Sequence, residues 1–271
     1  MSRTIARRVG PALVLLLLLG AWETGVRVGR VPAYLLPPPS RIVAVFFAEL
    51  PALLPHAGAT LLEIAAGLAG GVLGGIALAL AIFYLPPLES ALYPLVIASQ
   101  VIPVFAVAPL LVVWLGYGLW AKAAVAALIV FFPVTVNALD GLRAAQSETL
   151  DVLRALGASE ARLFRLVRAP GSLPWLFSGL KIGVTQSVVG ATIGEWIGAQ
   201  RGLGYLMIES NALLRIDLVF ASILMLTLVG LLLFALVRII ERRALRWRTP
   251  EGGGREWRTE WRGRRSSSPW S

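Results

Sequence analysis

The sequence predicts an all-α membrane protein with about six transmembrane helices. Three observations predict it. Of 271 residues, 57% are hydrophobic and 15% charged, where soluble domains run near ~45–50% and ~25%. The mean hydropathy is +0.77. The apolar residues fall into runs of membrane-crossing length, which needs ~20 residues per helix, separated by short polar connections. The net charge of +10 does not argue for nucleic acid, because the basic residues flank the apolar runs as topology requires. There is no cysteine, which excludes disulfides, thiolate metal sites and cysteine nucleophiles. The single histidine, His56, cannot form a histidine metal cluster, and an integral-membrane enzyme would need clustered His, Asp or Glu.

The first element carries Arg3, Arg7 and Arg8 ahead of an apolar run with five consecutive leucines, Leu15–Leu19. That pattern is shared with secretory signal peptides, but Glu23, Thr24 and Gly25 follow in place of a small-x-small cleavage site. An uncleaved first transmembrane helix, about Val9–Val28, is expected. Next, Pro37-Pro38-Pro39 cannot continue a helix. Ser40 is expected to cap a short amphipathic helix through Leu50, and Pro51 to stop it. These elements make up residues 1–58, with an exterior amphipathic segment after the first span.

Residues 59–245 form the transmembrane core. The second span, about Ala59–Leu85, contains a G-x-x-x-G pair, Gly71 and Gly75, expected to pack helices closely within the chain. Glu63 sits near its outer end. The third span, about Ala91–Gly116, holds Ser99, Gln100, Pro103 and Pro109. Proline and polar residues inside a span face protein or a water-lined cavity, so Ser99 and Gln100 are candidate pathway-lining residues, with a packing kink as the alternative. The fourth span is Lys122–Leu139. The fifth, Trp175–Gly198, carries Lys181, Gln186 and Glu195. Gln186 and Glu195 join the pathway candidates, although the position of Glu195 near the outer end also fits an interface or structural role. The sixth span is Leu218–Ile240. Residues 246–271 are rich in Gly, Arg, Ser and Trp and are expected to be a disordered basic tail.

Between the fourth and fifth spans lies Asp140–Pro174, the longest polar segment between the first and last apolar runs. It carries five arginines against four acids, and excess Lys/Arg in a short loop marks the cytoplasmic side. With six spans and both ends inside, 18 Lys/Arg fall inside and 6 outside. Asp151 near a helix start would suit its positive end. Leu153, Leu156, Leu163 and Leu166 can form one apolar stripe at helical spacing, Gly157 allows a turn between two short helices, and Pro170 would end the second. A segment of this kind is expected to dock a cytoplasmic partner; a solvated helical hairpin is the alternative.

The same segment resembles the EAA loop of ABC importer permeases. That pattern is E-A-A, three residues, Gly, nine residues, then I-x-L-P. Here Asp151-Val152-Leu153 precedes Gly157, and Val167-Arg168-Ala169-Pro170 follows at the same separation. The triplet and the I-x-L-P depart from the pattern, yet the register holds. Leu36-Pro37-Pro38-Pro39-Ser40, Ser178-Gly179-Leu180-Lys181-Ile182, Gly194-Glu195-Trp196-Ile197-Gly198 and Gly202-Leu203-Gly204-Tyr205 are similar to permeases of the nitrate/sulfonate/taurine group. The resemblance spans about residues 35–245.

It implies a type I ABC importer permease fold with a cytoplasmic coupling-helix loop at 140–174. The implied docking residues are Asp151 and Leu153, the Gly157-Ala158-Ser159 turn, and Val167 with Pro170. Implied partners are a cytoplasmic ATP-binding cassette ATPase, an extracytoplasmic solute-binding protein and a second permease copy in a homodimer. The implied location is the bacterial inner membrane with both termini cytoplasmic. No cofactor would be bound by this chain, and ATP would be used by the partner subunit. The segment from Ser99 to Leu110, followed by Trp114-Leu115-Gly116-Tyr117-Gly118, looks most like the branch linked to thiamine-precursor pyrimidines and riboflavin. A sulfonate, taurine or nitrate importer is the alternative within the group. An ion-coupled secondary transporter is the alternative outside it, and would carry an inverted repeat that the sequence does not display.

Overall fold

The computed structural model describes residues 2–247, and every regular element among them is a helix. The expectation for the tail at 246–271 falls outside them from residue 248 onward. In chain order the helices are α1 (Ser2–Val28), α2 (Pro39–Ala48), α3 (Leu50–Tyr84), α4 (Pro86–Ser99), α5 (Val104–Leu115), α6 (Leu119–Arg143), α7 (Ser147–Ala155), α8 (Glu160–Leu163), α9 (Ala169–Gly198), α10 (Leu203–Ala212) and α11 (Ile216–Ala244). A π-helical turn, Phe164–Arg168, joins α8 to α9 without a break. Among the described residues, four helices are long and apolar enough to cross a membrane: α3, α6, the continuous Glu160–Gly198 and α11. A fifth crossing is available if α4 and α5 together make one.

Three sequence expectations change here. Ala91–Gly116 is not one helix: α4 and α5 meet at a bend of 101°. Pro103 supplies the reason, since it lacks an N–H and forces Ile102 out of helical conformation. Pro51 begins α3 rather than stopping α2, because its missing N–H costs nothing in a first turn. Ser40 does not cap α2 with its own side chain. Its backbone N–H and hydroxyl both donate to the Glu23 carboxylate of α1, at 3.0 and 2.7 Å, so an acid from a neighbouring helix caps α2.

The centre of the fold is α6, held between α3 and α9 by small residues on both neighbours. At Gly71 an added Cβ would lie 2.7 Å from the Val130 Cβ and 2.8 Å from the Ala127 carbonyl oxygen. At Gly190 it would lie 2.6 Å from the Ala126 Cα. Only glycine lets the backbones approach this closely, which substitutes van der Waals contact for the hydrophobic drive that lipid removes. The G-x-x-x-G pair of α3 is thus consumed inside the chain. Buried Phe46, Leu53, Leu203, Leu206, Leu218 and Met225 tie α2, α3, α10 and α11 together at one end. Ala79, Ile82, Ala138 and Leu139 close α3 on α6 at the other, where the 140–174 loop begins.

Candidate functional site

The loop between α6 and α9 is a pair of short helices joined by a tight turn. Gly157 has φ +82°. Its N–H donates to the Arg154 carbonyl at 2.9 Å, and the Ala158 N–H donates to the Leu153 carbonyl at 3.0 Å. That pair of bonds is the Schellman closure of α7. An added Cβ at Gly157 meets nothing within 4 Å, so the glycine is there for its backbone and not for space. Arg154 spans the turn, donating to Asp151 at 3.1 Å on its own helix and to Glu160 at 2.9 Å on α8. The Arg154 hydrogen bond holds the Glu160 carboxyl below its usual value.

Several loop expectations are redrawn. Asp151 lies in the middle of α7, and Glu148 is the acid in its first turn. The four-leucine stripe splits: Leu163 is buried at 1%, Leu153 is half-buried, and Leu156 and Leu166 are exposed at 77% and 66%. Val152 joins the exposed pair. Ser159 is the residue before α8 and makes no side-chain cap. Val167 lies in the π-helical turn, and Pro170 sits in the first turn of α9 instead of ending a helix. The π turn accommodates the missing N–H of Pro170 and lets the second short helix run straight into the span.

A cavity of about 620 Å³ opens where α4 breaks from α5, walled also by α3, α6 and α9. Three of the four pathway candidates, Ser99, Gln100 and Gln186, line it. Glu195 does not. It is 1% exposed and belongs to a separate polar cluster. Its carboxylate accepts the Thr60 hydroxyl at 2.6 Å and the Gly204 N–H at 2.5 Å. Thr60 in turn accepts the Leu203 N–H at 2.8 Å, and the His56 Nδ1 accepts the Gly202 N–H at 3.1 Å. Two of the free N–H groups that open α10 are thereby satisfied from α3 and α9. Gly202, with φ +129°, passes so close over the Glu195 carboxylate that no Cβ fits.

The ion pair next to this cluster was not evident from the sequence. Lys122, at the start of α6, is 9% exposed and donates to Glu63 of α3. The signal available was one acid and one base, each isolated in an apolar span at the same end, since such charges pair. Two further charges pair as well: Arg41 with Asp217 at 2.9 Å, and Lys181, inside the fifth span, with Glu241 at 2.8 Å. Among the described residues no group of three His, Cys, Asp or Glu could hold a metal.

Membrane-length helices, a broken helix beside a cavity and a structured polar loop at one end together have the build of a multi-pass transport protein. Residues 71–246 match the family described as binding-protein-dependent transport system inner membrane component, and the chain belongs to that family. It is an ABC importer permease of the nitrate/sulfonate/taurine group. Its relatives are transport permeases, not enzymes. The chain is 41% identical to the formylaminopyrimidine transport permease protein ThiX of Halalkalibacterium halodurans, over 88% of this chain and 95% of that one. It is 36% identical to the riboflavin transport system permease protein RibX of Chloroflexus aurantiacus, over 90% and 94%. It is 30% identical to the taurine transport system permease protein TauC of Escherichia coli, over 91% of each.

Proposed function

We propose that this chain forms the solute pathway of an ATP-driven importer as a homodimer and couples to a cytoplasmic ATPase through the 140–174 loop. The observation that carries this reading is the build of the loop. A glycine-closed turn and the Arg154 bridge fix two short helices, and Val152, Leu156 and Leu166 stand exposed on a loop rich in charged residues. Large apolar side chains held exposed on a structured polar loop are what a partner's surface would cover. Closure of two ATPase subunits would draw two such loops together and switch the spans between inward-open and outward-open states. The chain lacks a G-x-x-x-x-G-K-[ST] phosphate loop of its own. The Lys/Arg asymmetry supports a cytoplasmic loop and cytoplasmic termini, which leaves the opposite face to a solute-binding protein.

The solute under this reading is a small organic molecule such as a thiamine-precursor pyrimidine or riboflavin. Support comes from the 41% and 36% identity to the formylaminopyrimidine and riboflavin permeases, against 30% to the taurine permease. A sulfonate or taurine solute is the second reading, kept open by that last relative. The test is co-purification of ATPase subunits from detergent-solubilised membranes, then ATPase assay with binding protein and a panel of solutes. Co-purification with stimulation by a pyrimidine or flavin is expected. Stimulation by taurine would overturn the solute assignment alone, and no ATPase partner would overturn the coupling loop.

A further inference from the structure

The cavity at the α4–α5 break has a distinctive lining. Its polar residues, Ser99, Gln100 and Gln186, are all uncharged, and among the described residues no ionisable side chain lines it. The Ser99 hydroxyl donates to the Val96 carbonyl at 2.6 Å, which leaves its oxygen lone pairs to accept. Gln100 and Gln186 are exposed and approach from different elements, the end of α4 and the middle of α9. Each amide offers two donors and one acceptor oxygen. Phe131 of α6 adds an aromatic ring, and aliphatic side chains complete the walls.

These features discriminate between solutes. An anion entering an apolar cavity with no cation beside it loses its hydration without compensation. A sulfonate or nitrate therefore finds only amide N–H donors here and no cation to balance its charge. An uncharged ring with nitrogen acceptors and amino or carbonyl groups at its edge suits amide hydrogen bonds, and its face suits offset stacking on Phe131. The volume lies within the ~300–1,000 Å³ range of small-molecule sites, which are mostly apolar with a few placed polar groups. Broken helices within a membrane are tolerated where they line a cavity.

We propose that this cavity is a solute-selecting subsite within the permease, where the Gln100 and Gln186 amides hydrogen-bond an uncharged, planar nitrogen heterocycle. The proposal rests on the permease reading above and adds where the chain itself reads the solute. It does not depend on the ATPase loop, so the two can fail separately.

The test is equilibrium binding to the full chain in lipid nanodiscs without ATPase, with riboflavin, an aminopyrimidine thiamine precursor and taurine as probes. Binding of at least one heterocycle is expected, weakened roughly tenfold or more in a Gln100→Leu/Gln186→Leu variant, with no binding of taurine. A second readout uses the absence of native cysteine. Ser99→Cys carries the only thiol, and saturating heterocycle should slow its reaction with a maleimide several-fold. Taurine binding, heterocycle binding that survives the double substitution, or labelling unaffected by heterocycle would each overturn the subsite.

Discussion

The Glu195 carboxylate of α9 accepts the backbone N–H of Gly204, in the first turn of α10, at 2.5 Å. With Thr60 on its other oxygen, this acid staples three helices at the end of the fold away from the 140–174 loop. Its burial and its two donors assign it to the scaffold, apart from the cavity that Ser99, Gln100 and Gln186 share. Glu195→Ala is expected to destabilise the chain by about 1–3 kcal/mol, the scale of leaving buried donors without their acceptor. Glu195→Gln keeps an acceptor oxygen and should lose less. Thermal unfolding in detergent checks both, and a pathway-only role would predict lost transport at unchanged stability.

Lys122→Met leaves Glu63 buried without the cation it pairs with. Breaking one side of such a pair costs about 3–5 kcal/mol, whereas replacing both partners by apolar residues is often neutral. The Glu63→Leu/Lys122→Met double variant should therefore recover most of the loss. A double-mutant cycle on melting temperature measures it.

At Gly157 the strain of a side chain is conformational. Gly157→Val is expected to cost about 1–3 kcal/mol locally through its positive φ, with insertion and the membrane helices intact. Gly157→Asn should be milder, since Asn tolerates the left-handed region. Hydrogen exchange over residues 147–168, together with ATPase coupling, reads the effect. Normal coupling in the Val variant would count against the loop as the docking element.

In contrast, Gly71 is constrained by space. Gly71→Leu forces a side chain into Val130 and the Ala127 backbone, and the α3–α6 contact should open, with loss of monodisperse protein on size exclusion. At neighbouring Gly74 the nearest atom to an added Cβ is on the Phe131 ring at 3.4 Å, so Gly74→Ala should be tolerated.

Glu160 gives the loop a pH dependence. Its carboxyl is held below the usual 4.5, first by the Arg154 hydrogen bond. A depressed folded value means the contribution is complete above about pH 4.5 and fades as pH falls through the folded value. Hydrogen-exchange protection across the Gly157 turn should therefore fall below pH ~4.5. Arg154→Gln should remove that step, and high salt should shrink it because both groups are exposed.

The sequence by itself determined the helical membrane class, the glycine packing of α3, and the polar loop with its glycine turn. Each is a local signal: hydropathy, residue spacing, or a backbone conformation that one residue type permits. The tertiary structure alone decided that Ala91–Gly116 breaks at Pro103, that Pro170 lets the helix run on, that Glu63 takes Lys122, and that Glu195 caps α10. The partner of a buried charge, and whether a proline kinks, starts or ends a helix, depend on which neighbours supply or remove hydrogen bonds in space. Those neighbours lie 59 residues away for Glu63 and Lys122, and 135 for Thr60 and Glu195, separations that no local pattern encodes.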